Sequence, residues 1–210
     1  MATLNPARPE RRRPALAAAL ALGFGLGLAA LLSLSGCGSK PAAKAAPDPT
    51  GRSDVADLAL RDLLIPVDGV RPDQLRNSFR SARSRGAHEA IDILAPRGTP
   101  VRAVEDGRIV KLSSNRAGGI TIYQADASER YLYYYAHLDR YAPDLAEGQR
   151  VRRGEVIGLV GSTGNASADA PHLHFAIHRI DPSGKRWPGT AINPFAVWRG
   201  AAEASLGDVR

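Results

Sequence analysis

From His88 onward the chain reads as a mostly β domain of antiparallel strands, with a short helix before it and a flexible N-terminal tether. Three features carry that reading. The segments "IDIL", "VRAV", "GRIVKL", "GITIYQ", "RYLYYYAHL", "EVIGLVG" and "HLHFAIHRI" are short, rich in β-branched or aromatic residues, and separated by Gly, Asn, Asp and Ser. No helical pattern intervenes between them, which favours antiparallel pairing. Upstream, "GSKPAAKAAPDPTGRSD" holds few large apolar side chains and too little burial surface to order itself.

The N-terminal 36 residues read as a targeting segment. Arg11 to Arg13 precede an uncharged Ala/Leu/Gly run from Ala15 to Leu34. Such a run is long enough to span a bilayer, and positive charge before it marks a cytoplasmic end. Segments of this kind are set aside in fold reasoning. The run closes in "LSGC", and its Cys37 is the only cysteine of the chain. The tetrad resembles the bacterial lipobox, in which a leucine and two small residues precede the cysteine that receives lipid. The resemblance implies that 1–36 is a lipoprotein signal peptide, cleaved before an acylated Cys37. Several acyl chains there would hold the protein on a membrane, with residues 37–54 as the lipid-anchored linker. Gly38, in place of aspartate, is compatible with outer-membrane sorting if the cell has such a membrane.

With a single cysteine, the exported part has no disulfide and must rely on its core; thiolate zinc fingers are excluded. The formal charge is +7, of which residues 1–36 carry +3, leaving a mildly basic +4. That balance favours anionic surfaces or polymers. No basic stripe interleaved with aromatics argues for nucleic acid.

Within the domain, "VADLALRDLLIPV" is expected to be an amphipathic helix from about Val55 to Leu64, with Asp54 as N-cap and Pro66 as stop. Pro72 can open one helical turn. "EDG" at 105–107 and "RAGG" at 116–119 are turn signals. "GTPVRAVEDGRIV" and "GQRVRRGEVIGLVG" look alike and suggest two related hairpins.

The last long strand holds two histidines one residue apart. Strand side chains alternate faces. Leu173, Phe175 and Ile177 therefore form a core face, and His172, His174, Ala176 and His178 form the other. "HEAID" reads as a bend followed by a strand, because Gly86 and Pro96 leave little room for a helix. Four extended residues span about 13 Å, too far for His88 and Asp92 to share one ion, so the chain must fold back near Glu89-Ala90.

In order, "HEAID", "YAHL" and "HLHF" resemble the three motifs of the LytM/lysostaphin-type zinc metallopeptidases, which cut peptide bonds in bacterial cell-wall peptidoglycan. "GSTGN" before the last motif and "INP" after it also look like that family, so the resemblance runs from roughly Ile65 to Pro194. It implies an antiparallel domain of the duplicated hybrid motif type over 55–200, with its core at about 65–194 and a tail at 201–210. It implies one zinc ion per chain, with His88, Asp92 and His174 as ligands and His137 and His172 as catalytic non-ligand histidines. Two histidines, one carboxylate and an open position form the donor set of a catalytic zinc site.

The implied activity is endopeptidase cleavage of peptidoglycan cross-links by zinc-activated water with histidine acid/base assistance. The implied partners are peptidoglycan peptide stems and, through lipidated Cys37, a membrane on its extracytoplasmic or periplasmic side. The alternative is a catalytically silent relative that activates another cell-wall hydrolase. Ala90 stands where the family pattern usually has glycine; a positive φ there would cost on the order of 1 kcal/mol. Glu89 has no required role. Tyr131, Tyr133 and Tyr135, which alternate in step with His137, are open to two readings: a substrate groove or strand packing. His178, about 13 Å beyond His174, reads as surface.

Overall fold

The computed structural model describes residues 52–83 and 86–199. The targeting segment, Cys37, most of the linker and the tail at 201–210 lie outside the described residues. Among the described residues one α-helix, α1 (Arg52–Ala59), precedes eleven strands. These are β1 (Ala82–Arg83), β2 (Gly86–Ala87), β3 (Ile91–Leu94), β4 (Pro100–Arg102), β5 (Gly107–Asn115), β6 (Gly119–Asp126), β7 (Tyr131–Tyr141), β8 (Arg150–Val151), β9 (Val156–Val160), β10 (His172–Arg179) and β11 (Thr190–Ile192). Pro72–Gln74 form the single helical turn that Pro72 announces. Residues 194–199 form a short closing helix.

The expected antiparallel sheet is present. Nine strands join in the order β11-β10-β7-β6-β5-β8, with β3 on β10, β9 on β7 and β4 on β9. Each of these pairs is antiparallel. β1 and β2 form a separate two-stranded sheet. The two look-alike segments are not hairpins closed on themselves. The first strand of each pairs with the second of the other, β4 with β9 and β5 with β8. Their turns are shared too: Gly154 N–H donates to Ala103 O at 2.9 Å and Gly148 N–H to Ile109 O at 2.7 Å. The similar outlines reflect two segments that clasp one another.

The core lies on the Leu173–Phe175–Ile177 face of β10, as alternation requires. Ile91 and Ile93 of β3 join it, as do Tyr131, Tyr133 and Tyr135 of β7, all fully buried. The tyrosines are therefore strand packing and do not line a groove. Their hydroxyls are satisfied internally, as buried polar groups require. Tyr135 Oη donates to Gln124 Oε1 at 2.7 Å and accepts from Val104 N–H at 3.2 Å. Tyr133 Oη donates to Glu105.

The helix begins earlier and ends sooner than its apolar pattern suggests. Asp62 has φ +52, which a helix cannot contain, and Leu60 is 84 % exposed. Asp54 is not its cap. It lies in the first turn, 1 % exposed, and accepts from Arg179 at 2.6 Å, Arg130 at 3.2 Å and the Tyr131 hydroxyl at 3.1 Å. These contacts, with buried Leu58, fasten α1 to β7 and β10.

His178 is a correction. It sits on the predicted face of β10 but is only 7 % exposed, and its Nδ1 is buried without a hydrogen-bond partner. Strand alternation tells which side a residue faces, not whether that side is open water or the floor of a depression. Burial pushes the imidazole down to about 4. The unfolded ring titrates near 6.5, so between these values the unfolded chain binds more protons. Charging the buried ring therefore costs the fold stability, which is full above about pH 6.5 and falls as pH drops toward about 4. Its extent is on the order of 3 kcal/mol. Denaturant titrations of wild type and His178→Leu across pH 4 to 7, both with chelator present, should diverge over that window, the variant having the flatter profile. Parallel profiles would refute the assignment.

Candidate functional site

The site begins with a register. β3 pairs with β10 so that Asp92 lies directly opposite His174. Both side chains point away from the core, which puts carboxylate and imidazole side by side. A bend at Ala90 then brings His88 back over them, as the length argument demands. Ala90 is buried, and its φ is not positive, so alanine carries no conformational cost at the family's usual glycine position.

Three donor atoms converge. His174 Nδ1 is 3.0 Å from Asp92 Oδ1, His88 Nε2 is 3.2 Å from the same oxygen, and the two ring nitrogens are 3.1 Å apart. His88 Nδ1 lies 3.0 Å from the Ser78 carbonyl. A carbonyl only accepts, so Nδ1 carries the hydrogen and Nε2 presents a bare lone pair. Ser78 also supplies its hydroxyl oxygen to the Asp92 N–H at 3.3 Å. Burial would raise the Asp92 carboxyl. The hydrogen bond with His174 and the charges of His174, His88 and His172 outweigh it and hold the group well below the usual carboxylate range.

The donor set fits a metal ion. His88, Asp92 and His174 each offer one ligand atom, and together they form a cluster that could hold one. Tetrahedral zinc with bonds of about 2.0–2.1 Å spaces its ligand atoms about 3.3–3.4 Å apart. The observed separations of 3.0–3.2 Å need only a few tenths of an ångström of outward movement.

His137 and His172 flank this cluster. His172 is the neighbour of His174 on the same face of β10, its Nε2 3.7 Å from Asp92 Oδ1. Its Nδ1 donates to the Ala170 carbonyl at 2.8 Å. His137 arrives differently. By simple alternation it would follow Tyr135 into the core. Between Tyr135 and Leu138, however, β7 sets two residues, Ala136 and His137, against one of β6, Thr121, a bulge, and His137 has φ +60. A bulge re-aims a side chain, and here it turns His137 out to the site. Its ring lies 5.0 Å from that of His172 and 5.5 Å from that of His174. Its Nδ1 donates to the Thr163 carbonyl at 2.8 Å. Burial pushes this imidazole down to about 4, against the pull of the Thr163 carbonyl and with help from His174 and His172.

His88, His137 and His174 line a groove of about 1090 Å³ that runs across β6, β7 and β10. Tyr134, the tyrosine that alternates away from the core, meets His174 edge-on at 6.0 Å. Tyr123 packs against Tyr134 at 4.7 Å, and Trp187, 56 % exposed, packs against Tyr123 at 5.5 Å. Sequence reasoning overlooked Tyr134 and Tyr123; their even spacing from the β10 histidines emerges only once the strands are paired. Glu89 is exposed at the rim.

The "GSTGN" and "RAGG" turns cross beneath His137. Gly164 (φ +75) and Gly119 (φ +63) approach so closely that a Cβ on Gly164 would meet the Gly119 nitrogen at 2.3 Å. Thr163 fills the crossing, its hydroxyl accepting from Ile120 N–H at 3.0 Å and donating to Leu138 O at 2.7 Å. Gly164→Ala should therefore displace the Thr163 carbonyl and destabilise the fold by roughly 1–3 kcal/mol. A denaturation midpoint equal to that of wild type would contradict this.

Residues 86–194, just over half of the chain and the span that holds all five site residues, match the model of "Peptidase family M23". The L-Ala--D-Glu endopeptidase of Bacillus subtilis is 37% identical over 119 residues, 52% of this chain and 36% of that protein. The DD-carboxypeptidase/endopeptidase Mpg of Neisseria meningitidis serogroup B is 43% identical over 114 residues, 52% of this chain and 22% of that protein. The chain thus spans about a third or less of the length of the curated relatives it matches. Among solved structures, lysostaphin from Staphylococcus simulans aligns with a TM-score of 0.51 at 30% identity, over 61% of this chain and 50% of that one. For lytM from Ruminococcus gnavus the TM-score is 0.56 at 27% identity, over 71% and 65%. With its motifs, its antiparallel fold and its His-Asp-His cluster in agreement, the chain belongs to peptidase family M23.

Proposed function

We propose that the protein is a zinc metalloendopeptidase that hydrolyses the peptide cross-links of bacterial peptidoglycan. The observation that carries this reading is the convergence of His88, Asp92 and His174, with His137 and His172 beside them, at a groove that His88, His137 and His174 line. The relatives support the substrate class, the peptidoglycan DD-endopeptidase ShyC of Vibrio cholerae among them.

His88, Asp92 and His174 would hold the metal, and zinc bound there would supply a Lewis acid able to lower the pKa of water and polarise a scissile carbonyl. The remaining work falls to the protein. His137 and His172 each keep their Nδ1 hydrogen on a backbone carbonyl, Thr163 and Ala170 respectively. That tautomer leaves both Nε2 atoms as acceptors, fit to take a proton from the attacking water and return it to the leaving amine. The carbonyls also fix the ring planes, so neither histidine must be ordered when substrate binds. Ser78 steadies the ligand side in the same way, holding the His88 ring and the Asp92 backbone.

The silent-regulator alternative is disfavoured because such relatives usually lack one or more of the five groups, and all five are present and adjacent here. We further propose that the domain is tethered by lipid at Cys37 and works on the extracytoplasmic side of a membrane, in the outer membrane where the cell has one. This rests on the "LSGC" tetrad. Among the described residues no helix is long and apolar enough to cross a membrane.

His174→Ala should abolish stoichiometric zinc in metal analysis. His172→Ala should keep its zinc and fold but lose roughly 10²–10⁴ in muropeptide turnover, the usual worth of general acid–base catalysis. Zinc loss in the second variant would make His172 a ligand, and normal turnover would make it a bystander. For the anchor, Cys37→Ser should leave the precursor uncleaved and unacylated. An unchanged mature mass and unchanged detergent partitioning would rule the anchor out.

A further inference from the structure

The groove floor continues beyond the metal cluster. His174, Ala176 and His178 succeed one another along β10 and all line the groove. His178 stands about 13 Å from His174, the length of four extended residues. It is more than nine-tenths buried, and its Nδ1 has no hydrogen-bond partner. Its strand neighbours, Leu132 and Ala191, offer it no polar side chain. A leucine or phenylalanine would fill the space without burying an unmatched ring nitrogen, so packing does not account for an imidazole here. None of the five site residues uses it either.

The chemistry narrows what would meet it. Burial keeps the ring uncharged near neutrality, and a neutral imidazole offers one donor and one acceptor. A peptide group offers the same pair. A carboxylate calls instead for a cation. The ring torsion is roughly two-fold, so either nitrogen can be turned toward the groove. Between His174 and His178 the floor is the small side chain of Ala176 beside Tyr134, which leaves room for an extended main chain.

We propose that His178 is a specificity residue that hydrogen-bonds a peptide group of the bound substrate about four residues from the bond cut at His88, Asp92 and His174. The groove then favours peptides long enough to span both points. This rests on the endopeptidase reading above.

The test uses zinc-loaded protein and two substrates sharing one cleavable bond: a cross-linked muropeptide dimer, and the same cross-link trimmed to one residue on either side. Wild type should prefer the dimer, and His178→Leu should lower the ratio of the two kcat/KM values about tenfold, mainly through KM, the worth of one hydrogen bond. His178→Gln, which keeps a donor and an acceptor, should restore part of the ratio. It also carries the test if the leucine variant does not fold. An unchanged ratio, equal loss on both substrates, or loss of zinc in the variants would overturn the proposal and leave the endopeptidase reading intact. Failure of wild type to cut either substrate would overturn both.

Discussion

The site hangs on one cross-strand contact, Asp92 Oδ1 against His174 Nδ1 at 3.0 Å. It exists because β3 and β10 pair in a register that sets these two residues opposite each other. A slip of one position would turn Asp92 into the core and Ile91 or Ile93 out to the groove. The buried Ile91, Ile93, Leu173 and Phe175 on the reverse face forbid that slip. Core packing on one side of the sheet is thus what holds the donor atoms together on the other. The same contact sets the electrostatics, since the histidines around Asp92 keep it ionised despite its burial.

A second constraint works against strand regularity. β7 supplies Tyr131, Tyr133 and Tyr135 to the core and must then deliver His137 to the opposite face. The bulge and the left-handed backbone at His137 achieve this, and such a conformation in a non-glycine residue persists only where its surroundings over-determine it. Here they do: Gly118 O receives the His137 N–H at 2.8 Å, and the Thr163 carbonyl holds its ring. Gly119 of "RAGG" and Gly164 of "GSTGN" are needed because two backbones cross at this point with no room for a Cβ.

The polar groups on the far side of the sheet serve a different end. Asp54, Arg179, Arg130 and Tyr131 form a satisfied cluster that docks α1 without entering the groove. The clasp of β4 with β9 and β5 with β8 closes the other end of the domain. Together they leave the face of β10 that carries the histidines free of structural duty, which is why unmatched polarity there, at His178, points to substrate.

Much of this was legible in the chain. Alternation alone divided "HLHFAIHRI" into a core face and a histidine face, and the contour length of "HEAID" required the bend that the structure places at Ala90. Antiparallel pairing followed from the lack of intervening helices. These are local properties, decided by the period of a strand and the reach of four residues. The tertiary structure decided what depends on neighbours distant in sequence. The bulge at His137 arises from the pairing of β7 with β6. The burial of His178 arises from its place on a groove floor between β7 and β11, and the role of Asp54 arises from arginines 76 and 125 positions away. A period of two tells which way a side chain points; only the assembled sheet determines what it meets there.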